Sequence, residues 1–118
     1  MSKYNNKTSK CVLKHVHDSI WEAEVCNYLC SLAQKKEIRG YSVQKSVDLT
    51  VKGKTICSHI VDFKVYKNNR KGSFWVEAKG LPTPTWQLKR KLTMALYPKI
   101  PYVTVYRGQL GLIDKEIS

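Results

Sequence analysis

The chain has 118 residues, 42% of them hydrophobic and 25% charged, which fits one soluble globular domain and leaves no material for a second core. No apolar run approaches the length needed to cross a membrane, and residues 1–10 lack the apolar stretch of a secretory signal. Twenty-one Lys and Arg against nine Asp and Glu give a formal charge of +12 and a pI near 9.7; nucleic acid is the commonest partner of so basic a domain, the alternative is a generally solvated basic surface, and no basic amphipathic helix with a broad apolar face points to a membrane surface instead.

Residues 1 to about 12 read as a flexible basic arm, ahead of a single domain over 13–118. Asp18 or Ser19 is a helix N-cap, and the helix runs to about Lys35, with Val25, Cys26, Leu29, Leu32 and Ala33 at helical spacing. Gly40 closes it. Tyr41 to Val51 and Thr55 to Tyr66 are rich in Val, Ile, Thr and aromatics, as strands are, with a turn at Lys52-Gly53-Lys54 between them. A longer turn at Asn68 to Gly72 leads to a third strand, Ser73 to Lys79. Thr83 or Thr85 caps a second helix whose apolar positions are Leu88, Leu92, Ala95 and Leu96; it ends near Tyr97, before Pro98. Tyr102 to Tyr106 is a last strand, and the tail from Gly108 is weakly determined. The order α-β-β-β-α-β, with a helical crossover before the final strand, gives an α/β (α+β) fold: a mixed sheet flanked by helices. Four cysteines, Cys11, Cys26, Cys30 and Cys57, form no CxxC pair, which argues against a zinc ribbon. Cys26 and Cys30 read as small buried apolar residues, and all four are expected reduced in a cytoplasm.

The chemistry centres on Val76-Glu77-Ala78-Lys79. In a strand Glu77, Lys79 and Trp75 share one face, and Val76 and Ala78 point to the core on the other. A carboxylate and an ammonium so placed can bind a metal ion and its water together, although an E-x-K alone also describes an ordinary salt bridge on a solvated face. Asp62 stands among Val61, Phe63 and Val65 in a strand, where aspartate is depleted. A hairpin turn joining the strands of Asp62 and Glu77 lets the two carboxylates share a hard cation; without one they repel, and one holds its proton. The alternative for Asp62 is a salt bridge to a nearby lysine. Glu22 lies on the apolar stripe of the first helix, which turns it towards the sheet unless it sits at the margin and reaches solvent. Glu24 is off the stripe. Leu88 and Leu92 bury one face of the second helix, leaving Gln87, Lys89, Arg90 and Lys91 to lie along a phosphate backbone or to remain a solvated basic face.

Helical Glu22, then Asp62, then Glu77-Ala78-Lys79, then a helix with Gln87 and Lys89 resembles the motif order of the PD-(D/E)XK nuclease superfamily. More narrowly, Val61-Asp62-Phe63, Val76 to Gly80, and Leu88 to Leu92 followed by Tyr97-Pro98 look like a phage-borne family of small proteins of unassigned function. The Ser19 to Glu22 spacing agrees with that family's first helix. The resemblance covers about residues 17–106; it departs at Val61, where the superfamily motif has proline.

The resemblance implies a restriction-endonuclease-like core and a Mg2+- or Mn2+-dependent endonuclease acting on DNA, nicking or structure-selective like a Holliday-junction resolvase. It implies Glu22, Asp62, Glu77 and Lys79 as catalytic residues. Asp62, Glu77 and the Ala78 carbonyl would hold the metal, and Glu22 an outer water or a second ion. Lys79 would orient the attacking water or stabilise charge on phosphorus, and Gln87 and Lys89 would steady the phosphate. His15, His17 and His59 are available as bases, though satisfied or solvated histidines are commoner. Trp75 or Trp86, if exposed, offers a stacking surface for an unpaired base. One site cuts one strand, so double-strand cleavage requires a homodimer or two binding events. The alternatives are a non-catalytic DNA-binding module that keeps the fold, and a protein that acts by binding a host or phage protein. The expected compartment is cytoplasmic, the bacterial host cytosol for a phage-encoded chain.

Overall fold

The computed structural model describes residues 9–11, 16–17 and 19–118. Two short strands, β1 (Ser9–Lys10) and β2 (Val16–His17), pair antiparallel. The arm expected over 1–12 falls mostly outside the described residues; where it is described, at Ser9–Lys10, it is a paired strand, because β2 supplies hydrogen-bond partners. Asp18, His15 and the side chain of His17 also lie outside the described residues.

Helix α1 (Ile20–Gln34) starts where the sequence places its cap: the Ser19 hydroxyl accepts the Glu22 N–H at 3.0 Å. Strands β3 (Gly40–Val51) and β4 (Lys54–Tyr66) form a long hairpin. Lys52 and Gly53 turn it with φ of 51° and 80°, both in the left-handed region that tight hairpins of matching twist require. A single 3-10 turn, Asn68–Arg70, leads into β5 (Ser73–Ala78), which pairs antiparallel with β4. Helix α2 (Pro84–Leu96) crosses to β6 (Tyr102–Val105), which pairs parallel with β5. A further helix, α3 (Gly111–Ile117), occupies the tail that the sequence left undetermined; its Ile113 is fully buried against the α1 side of the core.

The four-stranded sheet has the order β3-β4-β5-β6, mixed and flanked by helices as the element order predicts. Alternation along β5 sorts its residues between two cores. Phe74 and Val76 join Phe63, Val65 and Val105 under the α1 stripe of Val25, Cys26, Leu29 and Leu32. Trp75 points the other way, to Val47, Leu49 and Val61, where Leu92 and Leu96 of α2 cover it. Cys11, Cys26 and Cys30 are buried, which suits the reading of Cys26 and Cys30 as small core residues. No helix among the described residues is long and apolar enough to cross a membrane.

The α2 stripe departs from expectation. Leu88 is 60% exposed and Ala95 is exposed as well, while Thr93 is fully buried and Trp86, Lys89 and Arg90 are half-buried. The first turns of α2 pack on polar strand ends rather than on apolar core, so an aromatic with an N–H takes the inward place that the periodicity assigned to leucine.

Candidate functional site

The β4–β5 ladder ends at Phe63 paired with Val76. Continuing that register by one residue sets Asp62 opposite Glu77, and there the strands stop exchanging backbone hydrogen bonds. Amides of Trp75 and Lys79 go to the other side, to Pro101 O and Val105 O at 2.9 Å each. The Ala78 amide therefore points towards β4, and the Asp62 carboxylate takes it: Ala78 N–H donates to Oδ2 at 2.9 Å. Opposite Asp62 on its other side, Gln44 interrupts β3 between the pairs Val43–Phe63 and Lys45–Val61 with φ of 51°. Its Nε2 donates to Glu22 Oε2 at 3.0 Å, tying α1 to the same point of the sheet.

Glu22, Asp62 and Glu77 are 4%, 9% and 4% exposed. One helix and two strands thus bring three carboxylates to one buried place. Glu22 faces inward, and Glu24 is exposed and 3.8 Å from Arg107. The Asp62 carboxyl is held well above the usual carboxylate range, first by burial, then by the charge of Glu77 and hydrogen bonding with it, with Glu22 adding to the effect. The Ala78 amide pulls the other way.

Glu77 Oε1 is fixed by two donors, Tyr102 OH at 2.9 Å and Trp86 Nε1 at 3.3 Å. His59 Nε2 lies 2.8 Å from the Tyr102 oxygen and 3.7 Å from Glu77 Oε1. Since the Tyr102 proton goes to Glu77, His59 must donate through Nε2–H, giving a chain from His59 to Tyr102 to Glu77. Burial lowers the His59 pKa, partly opposed by Glu77 and reinforced by Lys89 and Lys79, so the ring is held neutral. Burial, then Glu77, raises that of Tyr102.

Lys79 stands with its Nζ 4.6 Å from the centre of the Trp86 ring. Trp86 therefore touches both the acid and the lysine of Glu77-Ala78-Lys79. Trp75 is 3% exposed and so offers no stacking surface. Its partners are Tyr97 and Tyr102, edge-on at 5.6 and 6.1 Å.

Beside the acidic cluster, between α2 and β6, is a cleft of about 400 Å³ lined by Trp86, Gln87, Arg90, Lys91, Thr104 and Tyr106, with Pro82 at its margin. Three of the four polar residues expected on α2 line it. Lys89 does not; its charge disfavours the proton of His59. Arg90 Nε donates to Thr104 Oγ1 at 3.2 Å, and its guanidinium lies 5.9 Å from the Trp86 ring and 5.8 Å from that of Tyr102. Among the described residues, no Lys or Arg is within ion-pair distance of Asp62 or Glu77, and no carboxylate is within that distance of Lys79, Arg90 or Lys91.

The donor set fits a hard divalent cation in its chemistry: oxygen ligands from Asp62 and Glu77, with a third carboxylate, Glu22, close by and, among the described residues, no Lys or Arg at ion-pair distance from Asp62 or Glu77. As the side chains stand, no three acidic, His or Cys groups among the described residues converge as ligands of one ion.

Sequence reasoning passed over Gln44, Tyr102, Thr104 and Tyr106. A signal for the last three was present. Once β6 is taken as parallel to β5, its alternate residues pair Tyr102 with Trp75 and Thr104 with Glu77, which puts the polar set of β6 on the face of the acid.

These features define the protein as an α+β domain whose central strands carry a buried carboxylate cluster beside a basic, aromatic cleft. The chain belongs to the family described as "Protein of unknown function (DUF1064)", matched over residues 1–109. No curated protein and no solved structure matches it.

Proposed function

We propose that this protein is a divalent-metal-dependent DNA endonuclease of the PD-(D/E)XK type, nicking or selective for branched structure. The observation that carries the reading is the gathering of Glu22, Asp62 and Glu77 in one buried cluster, on a chain of net charge +12. Burying like charges together costs stability, and a cation bound among them offsets that cost. Asp62 and Glu77, with the Ala78 carbonyl beside them, would hold Mg2+ or Mn2+, and Glu22 an outer water or a second ion. When bound, such an ion polarises a phosphodiester and makes water a nucleophile near neutral pH.

The chain's own groups do the remaining work. Tyr102 and Trp86 grip Glu77 Oε1 and orient the carboxylate. Lys79, braced on the Trp86 ring, donates to a phosphate oxygen as charge builds on phosphorus. Gln87, Arg90 and Lys91 hold the neighbouring backbone, and Lys89 contributes through the field at His59. A monomer has one such site and nicks; a double-strand cut needs a homodimer or a second encounter.

Supercoiled, nicked, linear and branched DNA incubated with Mg2+, and separately with EDTA, test the proposal. Cleavage of at least one of them, dependent on Mg2+ and lost in Lys79→Ala, is expected. If wild type cuts none, or the lysine variant cuts as well as wild type, the reading fails. Tight, salt-sensitive binding without cleavage, unchanged by Asp62→Ala, would leave a DNA-binding module. A host-protein complex that survives high salt would point to protein recognition instead.

A further inference from the structure

We infer that the cleft between α2 and β6 seats one unpaired nucleotide, which makes DNA with unpaired bases next to the cut the substrate class. The inference rests on the nuclease reading for the neighbouring carboxylates, but its own grounds are the cleft's size, lining and charge. At about 400 Å³ it lies at the small end of ligand pockets, the scale of one nucleotide rather than of a duplex. Its lining combines the two things a single-stranded nucleotide needs. Trp86 and Tyr106 give aromatic surface for a base. Arg90 and Lys91 give cations for its phosphate, with no carboxylate at ion-pair distance among the described residues.

Gln87 and Thr104 add hydrogen-bonding edges on opposite sides, one from α2 and one from β6. The tie from Arg90 Nε to Thr104 Oγ1 holds the guanidinium plane across the cleft while leaving its terminal nitrogens for a phosphate. Trp86 belongs to both places: it lines the cleft and donates to Glu77. A nucleotide seated here is thus one side chain away from the acidic cluster. Leu81, 74% exposed and next to Pro82 at the margin, supplies an apolar group against which an adjoining base can unstack. A paired base cannot enter without leaving its stack, so intact duplex pays an unstacking cost that a single strand does not.

The test is fluorescence anisotropy in EDTA, where no cleavage intervenes, with a labelled oligo-dT strand, a matched intact duplex and the same duplex carrying a one-nucleotide gap. The strand and the gapped duplex are expected to bind at least about tenfold tighter than the intact duplex. Tyr106→Ala should weaken strand binding between about fivefold and a hundredfold, the ordinary worth of one stacked base, with duplex binding changed less than about twofold. Tyr106→Phe should restore it. A 2-aminopurine placed opposite the gap should be quenched by the wild-type protein, a readout that does not depend on whether the alanine variant folds. Equal affinity for all three DNAs, equal losses for strand and duplex in Tyr106→Ala, or no quenching would overturn the inference and mark the cleft as a contact for duplex backbone only. Mg2+-dependent nicking of plasmid alongside those results would leave the nuclease reading standing. Strand-selective, Tyr106-dependent binding with no cleavage of any DNA would do the reverse.

Discussion

Replacing Asp62 with Asn should flatten the pH dependence of stability in the metal-free protein. Burial, then Glu77 and Glu22, hold the Asp62 carboxyl well above its ordinary value of 3.8. A group whose pKa rises on folding keeps its proton in the native state after the unfolded chain has released it. Its contribution is complete below the unfolded value and is lost as pH rises through the native one. Across that window the native protein holds up to one extra proton, so stability falls by up to about 1.4 kcal/mol per pH unit. In a domain of this size that lowers the melting temperature by about 5 °C per unit. Asparagine keeps an oxygen for the Ala78 amide, 2.9 Å away, and removes the titration. His59 acts in the opposite sense: its pKa is lowered from 6.5, so its contribution grows as pH rises towards that value. His59 is present in both proteins, and the difference between their slopes isolates Asp62. Urea unfolding in EDTA at a series of pH values from acid to neutral, followed by tryptophan fluorescence, gives both slopes. Parallel curves for wild type and Asp62→Asn would refute the reasoning, because Asp62 would then not carry the extra proton.

The other expectations follow from single contacts. Lys79→Ala should lower the rate of Mg2+-dependent cleavage by about 100- to 1000-fold, measured on supercoiled plasmid, with little change in melting temperature, because Lys79 has no ion-pair partner among the described residues. Trp86→Phe keeps a ring beneath Lys79 but loses the N–H to Glu77 at 3.3 Å; it should cost about 1–2 kcal/mol in urea unfolding. Phe74→Ala, at a fully buried position under α1, should cost about 3–5 kcal/mol by the same measurement. Lys91→Ala should lower the slope of log affinity against log salt by about one in DNA titrations, while leaving the melting temperature within about 2 °C.

The sheet was legible in the sequence because its signals were local. The change of period at Tyr41, the turn at Lys52-Gly53, the cap at Thr83 and the stop before Pro98 all fall within a residue or two of the observed boundaries. The parallel pairing of β5 with β6 followed from the helical crossover between them. The acidic residues were legible for a different reason: carboxylates at strand and stripe positions break a pattern that apolar residues otherwise keep. The environment of those acids was not. Tyr102 and Trp86 reach Glu77 across 25 and 9 residues, and Gln44 reaches Glu22 across 22, so no local spacing announces them. The inward face of α2 was misread for the same reason. Leucine periodicity favoured Leu88, but the surface that α2 meets at its first turns is polar, and Trp86 and Arg90 suit it better. Helix α3 carries only seven residues, and its burial through Ile113 depends on a core assembled elsewhere in the chain.

The buried carboxylates of α1, β4 and β5 are proposed to form a divalent-cation site. Anomalous scattering from crystals soaked in Mn2+ tests it most directly. A peak between Asp62 and Glu77 is expected, with carboxylate oxygens of both at about 2 Å, and its loss in Glu77→Gln. A Mn2+ peak elsewhere with none between these residues, or a peak unchanged in Glu77→Gln, would contradict it.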